Sequence, residues 1–337
     1  MTAKFVTVDE EFLNILGPHP TLELLLENDR YPFAHEAGVY IPSTDELFIT
    51  SNRLCDPGSP KEKQRVQISK VVLNRKDGSP PKCKQIELDS SAIPMGNGGV
   101  NYSNDEQVLF CAQGSTQLPS GLYAMDVRPP HAVTPILTDF MGRPFNSVND
   151  VAIHSDGSIW FTDPPYGFEQ GYRTRPRLPS QVYRYDPNRK SLRAMADGFG
   201  HPNGICFSPD ERTVYITDTD WLHGGGGTDD TKASTIYAFD IAMYHGQPFL
   251  TNRRLFAMAD TGIPDGIKCD TDGNVYSGCG DGVNVWSPGG ILLGRIVVEG
   301  GVANFCFGRG GEMFILKEHR LWRAQLGGHV RGALLGI

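Results

Sequence analysis

Residues 201–220 read His201-Pro-Asn-Gly-Ile-Cys-Phe-Ser-Pro-Asp-Glu-Arg-Thr-Val-Tyr-Ile-Thr-Asp-Thr-Asp220. A short apolar run, Ile205 to Phe207, gives way to Ser208-Pro-Asp-Glu-Arg212, and a second run follows from Thr213 to Thr217. The middle segment is turn material, because proline fixes its own φ and aspartate side chains bond nearby backbone. Two strand-like runs around such a turn predict an antiparallel hairpin. A polar residue, Asn203, stands just before the first run.

Working outward, the same grammar recurs. Glu36-Ala-Gly-Val-Tyr-Ile41 precedes a turn and Leu47–Thr50, with further strands expected at Val66–Asn74 and Lys84–Leu88 around an Asp77-Gly78 turn. Asn97–Ser103 leads to Val108–Cys111, with Gly121–Asp126 and Val133–Leu137 following. Asn149–His154 leads to Ile159–Thr162 and then Gln181–Tyr185. The opening stretch is completed by Ser234–Phe239 and Arg253–Met258. Asp265–Cys269 leads to Val275–Ser277, Val283–Trp286 and Ile291–Val298. Val302–Phe307 leads to Met313–Leu316 and Leu321–Ala324, where the chain runs out of strands. Six copies, most about 50 to 60 residues apart, predict an all-β fold, a six-bladed β-propeller with four-stranded blades around a central channel. The run Thr21–Glu27 reads as a strand or a short helix. As a strand it would complete the sixth blade, closing the ring with strands from both ends and leaving no open sheet edge. A two-sheet sandwich is the alternative, but it does not account for a sixfold repeated hairpin. Residues 1–337 are expected to form a single domain, with 1–20 as an N-terminal extension.

Composition agrees. The 337 residues include 39 glycines and 24 prolines, which suits many tight turns. A net charge of −8 and the lack of any basic stripe argue against a nucleic-acid partner. No apolar run approaches the length of a membrane span, and the N-terminus lacks a secretory core, so a cytoplasmic protein with no membrane partner is expected; oligomeric state is left open. The seven cysteines contain no CxxC pair, and Cys206, Cys269 and Cys306 fall at similar points in apolar runs, as buried thiols would.

In a propeller the first strand of each unit lines the channel, so the residue before it sits at the channel mouth. Aligning the copies places Glu36, Asn97, Asn149, Asn203, Asp265 and Ala303 there. Each asparagine or aspartate alone reads equally as a strand-capping turn residue. Taken together, Glu36, Asn149, Asn203 and Asp265 form a hard-oxygen set with no cysteine or obligatory histidine. Such a set suits Ca²⁺ and accepts Mg²⁺ or Mn²⁺, with Zn²⁺ also possible. Its unfilled coordination places leave room for a substrate oxygen.

The stretches Glu36-Ala-Gly-Val-Tyr40, Ser147-Val-Asn-Asp-Val151, Asp156–Gly167, His201-Pro-Asn-Gly-Ile205 and Ile263-Pro-Asp-Gly-Ile267 resemble the motifs of the senescence-marker-protein/gluconolactonase/lactonase family, in the family's order from about residue 33. The resemblance implies a propeller with one divalent metal in its channel. It makes Glu36, Asn203 and Asp265 metal ligands and Asn149 a fourth ligand or a substrate contact. A lactone-opening hydrolase then follows. The metal would act as Lewis acid on the carbonyl, Asp265 would take a proton from water as the general base, and Asn149 would share in catalysis. No G-x-S-x-G elbow supports an acyl-enzyme route. The family's sugar-lactone specialists are expected to hold Arg two residues before Asn149. This chain has Ser147, which argues against a charged, heavily hydroxylated sugar acid.

Around the mouth, Asn97, Tyr166, Phe168, Asp220, Trp221, His35 and His201 are the expected substrate contacts. The three aromatics read either as an apolar wall for a hydrophobic lactone or as packing between blades. His35 and His201 read as proton shuttles or as hydrogen-bond partners of ligands, His154 as structural, and Asp220 as a second acid/base group or a strand cap. Gly224–Gly227 is not a phosphate loop, since no Lys-Ser/Thr follows. Three other functions stay open: a phosphotriester or fluorophosphate hydrolase on the same metal, a non-hydrolytic enzyme of specialised metabolism, and a non-catalytic scaffold. The oxygen set argues against the scaffold.

Overall fold

A computed structural model describes residues 4–55, 58–60, 63–75, 78–89 and 91–337; Asp77, half of one expected turn, lies outside them. Alternating apolar and β-branched runs separated by turns build six antiparallel sheets of four core strands each. Blade one holds Glu36–Ile41, Glu46–Thr50, Ile68–Val72 and Lys82–Gln85. Blade two holds Gly96–Tyr102, Gln107–Ala112, Gly121–Asp126 and Val133–Leu137. Blade three holds Val151–Ile153, Ile159–Asp163, Gln181–Asp186 and Ser191–Ala196. Blade four, the stretch quoted first, runs from Pro202–Phe207 through Thr213–Asp218 and Thr235–Tyr244 to Gln247–Met258. Blade five holds Ile267–Cys269, Val275–Cys279, Gly282–Trp286 and Leu292–Val297. Blade six holds Asn304–Phe307, Glu312–Lys317, Arg320–Gln325 and, as its outer strand, Thr21–Glu27. The fold is the expected six-bladed propeller.

The ring closes twice. Each inner strand touches the inner strand of the next blade, and that of blade six returns to blade one. Thr21–Glu27 is a strand, pairing antiparallel with Arg320–Gln325 from Thr21 opposite Gln325 to Glu27 opposite Arg320. Six apolar clusters hold the blades face to face, one in each gap. Between blades two and three, for example, Leu109, Leu122, Phe145, Phe161 and Tyr183 are all at most 1 % exposed. Cys111, Cys206, Cys269, Cys279 and Cys306 are buried in this packing and form no disulfide. No helix among the described residues is long and apolar enough to cross a membrane.

The N-terminal segment is the main departure. Expected only as an extension, it is packed onto the propeller. Phe5–Thr7 pairs with Leu292–Val297 as a fifth strand of blade five. Helix α1, Glu11–Leu16, then drops Phe12, Ile15 and Leu16 into the cluster between blades five and six. Gly294 makes this possible, because a Cβ there would lie 2.2 Å from a Phe12 ring carbon. At the opposite end of the chain, Gly332–Ile337 covers a cavity of about 600 Å³ at one end of the channel, lined by Cys206, Cys269 and Cys306. Leu335 and Ile337 pack on the cluster between blades six and one. The candidate site lies at the other end.

Phe12 is fully buried, so Phe12→Ala is expected to destabilise the protein by about 3 to 5 kcal/mol, read as a lower denaturant midpoint in urea unfolding. An unchanged midpoint would mean that α1 does not hold the ring.

Candidate metal centre

The mouth residues converge as the alignment of copies requires. Glu36, Asn97, Asn149, Asn203, Asp265 and Ala303 line one cavity of about 430 Å³. Local irregularity turns them inward. The pairing of inner and second strand slips between Ala37 and Val39, between Gly96 and Gly99, and between Pro202 and Ile205. Such a bulge re-aims a side chain at the end of a strand. In blades three and five the regular inner strand is only three residues long, and Asn149 and Asp265 precede it.

Three threonines, each near the end of its blade's second strand, hold these positions. Thr162 Oγ1 accepts the N–H of Asp150 (3.1 Å) and donates to the carbonyl of Asn203 in the next blade (2.7 Å). Thr217 Oγ1 repeats this, accepting from Gly204 (2.7 Å) and donating to the carbonyl of Asp265 (3.0 Å). Thr50 donates to the carbonyl of Asn97 (3.1 Å). The aspartate after each of the first two threonines grips the segment entering its own blade. Asp163 accepts from the N–H groups of Asn146 and Ser147, and Asp218 from those of Gly200 and His201. Burial raises both carboxyls, that of Asp163 to about 7, against the pull of those bonds. Close approach of neighbouring blades also explains the glycines that follow Asn97, Asn203 and Asp265. A Cβ on Gly98 would sit 2.6 Å from the Asn149 carbonyl oxygen, and one on Gly204 2.4 Å from that of Asp265.

The electrostatics favour a cation. Glu36 is buried and Asp265 partly buried, and the pKa values of both are raised, by desolvation first; the Glu36 carboxylate pushes Asp265 further, well above the usual range. Among the described residues no lysine or arginine makes an ion pair with either. Asn97 Oδ1, Asn149 Oδ1 and Asp265 Oδ1 are buried without a hydrogen-bond partner. Buried acceptors are rarely left so, and a set of orphaned oxygens around two repelling carboxylates fits a hard divalent ion. Glu36 Oε2 does have a partner, the Asn304 side-chain amide at 2.7 Å, a contribution from blade six that the sequence reading missed.

The remaining expected residues divide. His35, Tyr166 and Trp221 line the cavity. His35 Nδ1 lies 2.8 Å from Glu318 Oε1. Burial opposes its charge, but Glu318 outweighs that and raises its pKa to about 9. Tyr166, on helix α2 (Tyr166–Glu169), hydrogen-bonds Thr219 and lies 3.4 Å from Asn203 Nδ2. Phe168, on the same short helix, is off the cavity wall and 46 % exposed. His201 is buried behind Tyr166, its ring stacked on the phenol at 5.1 Å. Its Nδ1 contacts Asp220 Oδ1 (2.9 Å) and its Nε2 contacts Glu169 Oε1 (2.8 Å). Asp220 supports His201 and stays off the cavity wall. Ser147 is also buried away from the cavity, accepting from Gly167 N–H and donating to the Pro164 carbonyl. Arg53, Lys317 and Leu222 line the mouth as well, none of them marked by the repeat.

Comparison with known proteins places this geometry. A sequence model of the SMP-30/Gluconolactonase/LRE-like region matches residues 84–318. Lactonohydrolase oryL of Aspergillus oryzae is 31 % identical, over 94 % of this chain and 71 % of that protein. The gluconolactonase of Zymomonas mobilis is 28 % identical over 68 % of this chain and 63 % of its own length. A gluconolactonase structure from Xanthomonas campestris superposes with a TM-score of 0.73 at 28 % identity, covering 96 % of this chain and 94 % of that one.

Replacing Thr217 by valine keeps its shape and removes both ties, so Ca²⁺ affinity at the mouth is expected to fall about 10- to 100-fold, with Thr217→Ser retaining most of it. Calorimetric titration of the metal-stripped protein checks this; equal affinities for all three proteins would show that the ties do not position the oxygens.

Proposed function

The chain belongs to the SMP-30/gluconolactonase/LRE-like family, and from that premise we propose that it is a metal-dependent lactonase, a hydrolase of cyclic carboxylic esters. The observation that carries this reading is the set of partnerless buried oxygens of Asn97, Asn149 and Asp265 beside the buried carboxylate of Glu36. Glu36, Asn149, Asn203 and Asp265 would hold the ion, with Ca²⁺ the best fit to all-oxygen donors. When bound, it would supply Lewis-acid polarisation of the ester carbonyl.

The protein's own groups account for the rest of the chemistry. Asp265 Oδ1 has no hydrogen-bond partner, and a carboxylate with a free oxygen facing the cavity can take a proton and give it back. It would take that proton from a water whose oxygen bonds to the carbonyl carbon. The C–O bond of the ring then breaks, and the departing alkoxide recovers the proton as a hydroxyl. The Asn149 side chain, aimed at the same space, would orient the carbonyl. Burial of the site strengthens each of these interactions.

For the substrate, we infer a compact lactone with an apolar substituent. Tyr166, Trp221, Leu222, Val66 and Ile263 all line the cavity, and Ser147 is spent on holding the turn at Gly167. Arg53 and Lys317 at the rim would meet the carboxylate that ring opening creates.

EDTA-stripped protein is expected to lose hydrolysis of an aliphatic and aromatic lactone panel and to regain it with Ca²⁺. Asp265→Asn is expected to lower kcat about 10²- to 10⁴-fold, the usual range for a general base, with a smaller change in KM. Full activity after stripping, or in Asp265→Ala, would overturn the proposal.

A further inference from the structure

Beside the channel mouth, Glu169, His201 and His223 bring three potential ligand atoms within 4.8 Å of one another. They come from three separate elements: helix α2, the start of the inner strand of blade four, and the loop that follows its second strand. His201 Nε2 is 2.8 Å and His223 Nδ1 is 3.5 Å from Glu169 Oε1. Donors about 3.4 Å apart are what a tetrahedral zinc with bonds of about 2.0 to 2.1 Å demands, and the two pairs made by Glu169 lie within about 0.6 Å of that spacing.

The groups behind the three are arranged as metal sites arrange them. A ligating histidine usually gives its other ring nitrogen to a carboxylate, which sets its tautomer and orientation. His201 Nδ1 does this with Asp220 Oδ1 at 2.9 Å, while its ring is pinned on Tyr166. Glu169 is held in the same way, since its Oε2 accepts the Gly224 N–H at 2.7 Å and leaves Oε1 facing both rings. Gly224 suits this close approach, as a Cβ there would lie a tight 3.0 Å from Glu169. His201 is 3 % exposed and His223 52 % exposed on its side chain, so one ligand is fixed and another is open to solvent.

We propose that Glu169, His201 and His223 form a second metal site, taking Zn²⁺ or a cation of similar softness with water as fourth ligand. Two imidazoles and one carboxylate select such an ion over Ca²⁺, whereas the channel mouth offers oxygen alone. The two sites therefore sort cations by chemistry. The ion would replace the hydrogen bond between His201 and Glu169, releasing its proton, and would tie the 221–233 loop to α2 at the rim of the cavity.

Equilibrium dialysis against ⁶⁵Zn²⁺ in roughly millimolar Ca²⁺, which keeps the oxygen site filled, tests this. Wild-type protein is expected to bind one equivalent, Glu36→Gln to keep it, and His223→Ala and Glu169→Gln to lose it. Asp220→Asn is expected to bind about 10- to 100-fold more weakly. His223 is largely solvent-exposed, so its variant is expected to fold, and an unchanged far-ultraviolet dichroism spectrum checks this. No uptake by wild-type protein, equal uptake by His223→Ala, or loss in Glu36→Gln alone would each overturn the second site.

Discussion

The hydroxyls of Thr162 and Thr217 are the constraint on which the mouth of this propeller depends. Each takes an N–H from its own blade and gives its proton to the carbonyl of a mouth residue in the next. Both threonines are fully buried, so no water competes for those bonds, and an unmade one would leave buried groups without partners. The backbone under Asn203 and Asp265 is thus held by the preceding blade as well as by its own. The mouth is a property of the closed ring, and no isolated blade carries it.

That ring has an electrostatic cost to offset. Desolvation makes Glu36 and Asp265 harder to ionise, and each also feels a neighbouring carboxylate, Asp150 for Glu36 and Glu36 for Asp265. Six apolar clusters between the blades supply the stabilisation that tolerates this arrangement, each a set of side chains removed from water on both faces. Stability is spread around the ring, while the repulsion between these carboxylates sits at one end of its axis. Bulges in three inner strands let the regular sheet stop and the functional side chains turn.

Much of this was legible in the sequence because it repeats. Hairpin grammar gave the six blades, and alignment of the hairpins gave the register of Glu36, Asn97, Asn149, Asn203 and Asp265. The strand nature of Thr21–Glu27 followed from the missing edge of blade six rather than from its own pattern. Phe5–Thr7 was not legible, since three residues carry no periodic signal. Thr162-Asp163 and Thr217-Asp218 are visible as a repeated pair, yet their task lies between blades and shows only once the blades are side by side. Glu169, His223 and Asn304 reach their partners through tertiary contact alone. Tyr166 and Phe168 look alike in sequence; the direction of a single helical turn sends one to the cavity and the other to solvent.

The seam of blade six has a consequence for how the chain is made. Thr21–Glu27 leaves the ribosome roughly 300 residues before Arg320–Gln325, the strand it pairs with. At about 5 to 20 residues per second, that leaves a leucine-rich strand without its neighbour for roughly 15 to 60 seconds. An unpaired strand invites pairing with another chain, and charges along it blunt the risk. Glu23 and Glu27 interrupt the leucines at two positions, and in the finished ring they meet Arg323 and Arg320. The same two glutamates thus serve twice, as guards during synthesis and as half of the clasp afterwards.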